Sequence, residues 1–104
     1  MSYTMVTYKV KAGREEENAS LVRAVFEELA RTRPAGFRYA VFRLPDTGEF
    51  MHLYKDEGAG SGALQELSSF QAFIAGAEER HEQAATFTEP SLIGDYRTFD
   101  DGDH

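Results

Sequence analysis

Residues 37–55 of the chain read FRYAVFRL, then PDTG, then EFMHLYK. Two runs rich in β-branched and aromatic residues flank four residues with turn chemistry, so the segment predicts a β-hairpin. If Leu44 pairs with Glu49, the pleat puts Ala40, Phe42, Met51 and Leu53 on one face. Tyr39, Val41, Arg43, Phe50, His52 and Tyr54 then share the other. The first set is uniformly apolar, and the second mixes rings with polar tips.

The flanking sequence extends this into a sheet with helices. Residues 3–10, YTMVTYKV, predict a strand. After Lys11-Ala12-Gly13, the sets Ala19, Val22, Phe26 and Leu21, Val25, Leu29 recur at helical spacing. Glu15, Glu16 and Glu17 suit that helix's first turn and Arg31 and Arg33 its last, with Pro34 and Gly36 as stop signals. Residues 58–62 read as a flexible break and 63–67 as a short helical piece. A second helix is expected from Ser68, with Gln71 completing a capping box and Phe70, Phe73, Ile74 and Ala77 along one stripe; His81 falls at its end. After Pro90, residues 91–99, SLIGDYRTF, predict the last strand.

The order is therefore βαββαβ, an α+β class in which two helices cover one face of a four-stranded antiparallel sheet. The other face carries either Tyr3, Met5 and Thr7 or Val6, Tyr8 and Val10 from the first strand, and either set is too apolar to face water. A second copy of the chain, paired about a two-fold axis, is the simplest cover. A chain of 104 residues suffices for a single core, so residues 1–99 are expected to form one domain and 100–104 an acidic tail.

Composition removes several classes of function. Acidic residues outnumber basic ones by 18 to 11 and the basic ones are scattered, which argues against nucleic acid and anionic membranes as partners. No apolar run approaches the roughly 20 residues a spanning helix needs, and the start of the chain lacks the basic and apolar regions of a signal peptide; a cytoplasmic protein is expected. Cysteine is absent, so thiolate chemistry and thiolate metal sites are too. Gly58, Gly60 and Ala63 have the spacing of a dinucleotide fingerprint, yet the parallel βαβ unit that motif requires is missing. His81 and His104 sit among acidic residues without convergent ligand spacing, so both are expected to be solvated and no metal is expected.

The passages VTYKVKAGREEEN, GFRYAVFRLPDTGEFMHLY and SSFQAF resemble the dimeric α/β barrel superfamily, and within it the antibiotic biosynthesis monooxygenase-like group, over residues 3–99. The resemblance implies a ferredoxin-like fold, a homodimer with facing sheets, and a pocket between sheet and helices. It also implies chemistry of the kind found in cofactor-free oxygenases acting on polycyclic phenols. Haem-degrading relatives carry an asparagine on the first strand, a tryptophan near the second helix and a histidine one turn after the phenylalanine matched by Phe70. Here Val6 or its neighbours lie on that strand, Ile74 occupies that turn and tryptophan is absent, so haem is not expected. With the nucleotide and metal readings set aside above, no cofactor is expected.

His52 is the candidate catalytic residue, as the one histidine expected inside a regular strand. A neutral imidazole near tyrosines can take a proton from a phenol and stabilise the phenolate; the competing reading is a hydrogen-bonded histidine at the dimer interface. Tyr8, Tyr39, Arg43, Tyr54 and Phe73 are the ligand-pocket candidates. The expected function is a cofactor-independent monooxygenase or related enzyme acting on a small aromatic or phenolic compound. The alternative is a non-catalytic homodimer that binds or sequesters such a compound.

Overall fold

The computed structural model describes residues 3–56, 62–96 and 98. Most of the expected glycine-rich break, the acidic tail and His104 lie outside them.

The hairpin forms in the expected register. Strands β2 (Phe37–Leu44) and β3 (Glu49–Asp56) pair antiparallel with Leu44 opposite Glu49 and Val41 opposite His52. Thr47 fixes the turn: its hydroxyl donates to the Leu44 carbonyl at 3.0 Å and accepts the Glu49 N–H at 3.0 Å. Gly48 takes φ +77, a left-handed value that costs a residue with a Cβ. Its carbonyl accepts the Val10 N–H at 2.8 Å, tying the turn to the first strand.

Strand β1 (Thr4–Val10) lies between β3 and β4 (His81–Thr88), giving the order β2-β3-β1-β4 with every pairing antiparallel. Helix α1 (Glu15–Thr32) begins with its three glutamates and ends at Arg33, whose φ of 48 turns the chain out of the helix while its N–H bonds the Leu29 carbonyl. Helix α2 (Ser68–Ala75) follows, then the single turn α3 (Ala77–Arg80). The core of Tyr8, Val10, Ala19, Val22, Val25, Phe50, Leu64, Leu67 and Phe73 lies between the sheet and the helices. This settles the two faces of β1: Tyr8 and Val10 point inward, and Met5 lies on the open side.

The second half corrects several expectations. Among the described residues the last strand is His81–Thr88, and residues 91–96 have no strand assignment; residues 97 and 99 of the expected strand lie outside the described residues. AEERHEQAA is rich in helix formers, but pairing with β1 overrides local preference, and as an edge strand β4 shows only weak alternation. The second helix accordingly ends at Ala75, with Ile74 exposed. Residues 63–66 form turns. The capping box is not made: Leu67 is the N-cap residue, Gln71 bonds the Gln65 carbonyl, and Glu28 of α1 accepts both the N–H and the hydroxyl of Ser69. A carboxylate from the neighbouring helix thus meets a donor that the helix leaves unsatisfied.

Candidate functional site

The sheet register explains why His52 meets two tyrosines. Along β3 its direct neighbours are Val6 on β1 and Val41 on β2. Tyr8 sits opposite Phe50 and Tyr39 opposite Tyr54, one step along the same face in either direction. Such diagonal neighbours are too far for small side chains but within reach of rings. The Tyr8 hydroxyl lies 2.7 Å from His52 Nε2, and the Tyr39 hydroxyl 2.8 Å from Nδ1.

The chain of contacts continues into the helices. Asn18 Nδ2 donates to the Tyr8 hydroxyl at 2.9 Å, Arg80 Nε donates to Asn18 Oδ1 at 2.8 Å, and the Arg80 guanidinium also bonds the Phe73 carbonyl at 2.9 Å. It lies over the Phe73 ring at 5.1 Å. Five side chains from β2, β3, β1, α1 and α3 are therefore joined in one line: Tyr39, His52, Tyr8, Asn18, Arg80. His52 is 5% exposed and Arg80 1% exposed. No carboxylate bonds Arg80 among the described residues; its charge is met by amide and carbonyl oxygens and a ring face.

Burial sets the protonation states. It pushes the Tyr8 hydroxyl up to about 12, against the opposing effects of the Asn18 hydrogen bond and the Arg80 charge. Burial likewise raises Tyr39, helped by Tyr8 and Tyr54, and it lowers His52 to about 4, with a smaller contribution from His81. Near neutral pH the tyrosines and His52 are uncharged, and Arg80 is the one permanent charge of the line.

His81 falls at a helix end as expected, as the residue that caps α3, but it is not solvated. It opens β4, half buried, with its ring stacked 4.2 Å from that of Tyr8, and its Nε2 has no hydrogen-bond partner among the described residues. Burial, then Arg80, lowers its pKa. Of the other candidates, Phe73 packs 5.6 Å from the His52 ring, and Tyr54 contacts Tyr39 edge-on at 6.4 Å. Arg43 stands apart, bonded to Glu16 of α1 at 2.7 Å. Asn18 and Arg80 were not among the candidates. Asn18 could have been found, since it sits four residues before Val22 on the buried stripe of α1; nothing in the sequence marks Arg80.

Two cavities among the described residues bear on the site. One of about 350 Å³ lies where the end of α1 meets β2, lined by Phe26, Leu29, Ala30, Pro34, Phe37 and Tyr39, with Arg33 beside them. The Tyr39 ring stacks on Phe26 at 4.9 Å, so the line from Arg80 ends at this wall. The other, about 540 Å³, lies between the open face at Met5, Ala40, Met51 and Leu53 and the segment at Pro90 and Leu92. Among the described residues no cluster of acidic or histidine side chains is arranged to hold a metal, and no helix is long and apolar enough to cross a membrane.

Several solved structures share this backbone fold. A protein of Nitrosomonas europaea provisionally described as an antibiotic biosynthesis monooxygenase superposes with a TM-score of 0.73 at 15% identity, over 90% of this chain and 100% of that one. One of Caulobacter crescentus with the same provisional description gives 0.68 at 16%, over 89% and 90%. The fold is that of the antibiotic biosynthesis monooxygenase-like structures. A Chloroflexus aurantiacus protein so described gives 0.62 at 17%, over 92% and 97%. The monooxygenase-like fold is thus shared at identities where side-chain chemistry does not carry over. The sequence itself matches no family model and no curated protein.

Proposed function

We propose that the chain forms a homodimer through its open sheet face and that each subunit binds a small aromatic or phenolic compound beside Tyr39, as a cofactor-independent monooxygenase would. The observation that carries this reading is the buried hydrogen-bonded line that ends at Tyr39 on a cavity wall with aromatic and aliphatic lining. Such a wall suits a planar ring, and a phenol at its edge suits an oxygen acceptor.

In the proposed reaction Tyr39 donates a hydrogen bond to the ligand's phenolate or enolate oxygen and stabilises the anion from which electrons pass to dioxygen. A ring CH2 becomes a carbonyl. One atom of dioxygen enters the product and the other leaves as water with the displaced hydrogens, so the electrons lost by carbon reduce both oxygen atoms. His52, sealed between two tyrosines, acts through Tyr39 and does not touch the ligand.

The dimer reading rests on the open face. Phe42 is exposed there, and Ile93 and Tyr96 of the segment beyond β4 are 98% and 86% exposed. Apolar side chains so placed suit an isologous partner.

The burial of His52 also favours a second reading, binding without turnover, because both of its nitrogens are already engaged. A panel of phenols, anthrones and quinones, followed by thermal shift and by dioxygen uptake, separates the readings. Stabilisation with uptake supports the enzyme, and stabilisation without uptake supports the binding protein. Neither effect across the panel overturns both.

A further inference from the structure

The hydrogen bonds of the buried line have a direction, and it follows from donor and acceptor chemistry alone. A guanidinium can only donate, so the Asn18 atom 2.8 Å from Arg80 Nε is the amide oxygen. The amide nitrogen is then the atom facing Tyr8, and it too can only donate. The Tyr8 hydroxyl is buried and has two polar neighbours, Asn18 Nδ2 and His52 Nε2. Its proton has a single acceptor open to it, His52 Nε2. If Nε2 carried a proton, the Tyr8 proton would be left buried and unbonded, a loss on the order of 1–3 kcal/mol. Nε2 is therefore bare, the ring proton sits on Nδ1, and Nδ1 donates to the Tyr39 oxygen. The proton of Tyr39 is the one left over, with no acceptor among the described residues. Tyr39, however, is only part-buried and lines an open cavity that water can enter, so the loss that the buried Tyr8 proton would suffer does not arise there.

We propose that Arg80 and Asn18 are positioning residues that hold His52 as its Nδ1–H tautomer, so that Tyr39 presents its hydroxyl proton to an acceptor oxygen of a ligand in the cavity beside α1 and β2. The ligand class that this end of the line selects is an oxygen acceptor, a phenolate, enolate or carbonyl, over a donor such as an amine. Each bond polarises the next in the same sense, away from the fixed charge of Arg80, so the outermost hydroxyl is a stronger donor than an isolated phenol. Gly76 belongs to the same design: a Cβ there would lie 3.1 Å from an Arg80 guanidinium nitrogen.

The proposal rests on Tyr39 as the ligand contact, but its test needs no ligand and so fails or succeeds independently of the reaction. The imidazole nitrogens are observed by 15N–1H correlation NMR on the full chain at about pH 7.5, where His52 is neutral. The expected spectrum assigns the proton of His52 to Nδ1 and gives Nε2 the shift of an unprotonated nitrogen. Asn18→Asp, nearly the same shape, accepts from both Arg80 and Tyr8. The Tyr8 proton then turns to the carboxylate, and the ring proton is expected to move to Nε2. Tyr8→Phe, which removes the constraint without adding a charge, is expected to give a tautomer mixture. An Nε2–H tautomer in the unmodified protein overturns the proposal, as does a folded Asn18→Asp variant whose His52 is unchanged.

Discussion

The Tyr8 hydroxyl lies 2.7 Å from His52 Nε2 although the two residues face each other on no rung of the sheet. The contact exists because β1 and β3 hold them at diagonal positions on the face covered by the helices. With Tyr39 on the other nitrogen, His52 becomes an internal connector, and access to the line passes to Tyr39.

His52 should matter strongly for stability. Replacing it with Ala opens a cavity and leaves two tyrosine hydroxyls without their partner, a cost of about 3 kcal/mol. In a domain of this size the melting temperature is expected to fall by roughly 10–20 °C, measurable by circular dichroism.

Stability should also fall on mild acidification. The folded-state pKa of His52 is lowered from 6.5 to about 4, so between those values the unfolded chain takes up a proton that the folded chain refuses. The contribution is complete above pH 6.5 and declines as pH drops toward 4, by up to about 3 kcal/mol. His81 is displaced in the same direction. Denaturant titrations at intervals through that window are expected to show the decline, and His52→Gln to flatten most of it.

The first half of the fold was legible because its signals are local. Leu44 opposite Glu49 follows from the turn residues, and the faces of β2 and β3 follow from alternation. In α1 the stripe and stop signals agree with the helix observed. The second half was not legible, because β4 is an edge strand whose residues Ala84 and Ala85 carry no strand signal and whose place is set by pairing with β1. In the site, His52 and the two tyrosines could be named as candidates from their strands. That Asn18 and Arg80 complete the line depends on how α1 and α3 dock, which no spacing within either segment encodes.

Gly48 provides a check on the hairpin register. A Cβ at this position would come 3.0 Å from the Val10 carbonyl oxygen, at a φ of +77. Gly48→Ala is therefore expected to lower the unfolding free energy by about 1–2 kcal/mol in urea titration, while leaving the secondary structure intact.

The open face offers a test of assembly. Leu53 stands on it, opposite Met5 and Ala40. Leu53→Asp would place a charge inside the proposed interface, where burying it against a second copy is costly. Light scattering is expected to find a dimer for the unmodified chain and a folded monomer for the variant; a monomer for both at micromolar concentration removes the dimer.

The most direct measurement is calorimetric titration of a nitrophenol, held as its anion at about pH 8, into the unmodified protein and into Tyr39→Phe. The substitution keeps the ring stacked on Phe26 and deletes only the hydroxyl. Loss of a hydrogen bond to a charged acceptor, worth about 1.5–3 kcal/mol, is expected to weaken binding by at least about tenfold. Equal affinity in the two proteins, or no binding to either, would contradict the assignment of Tyr39 as the ligand contact.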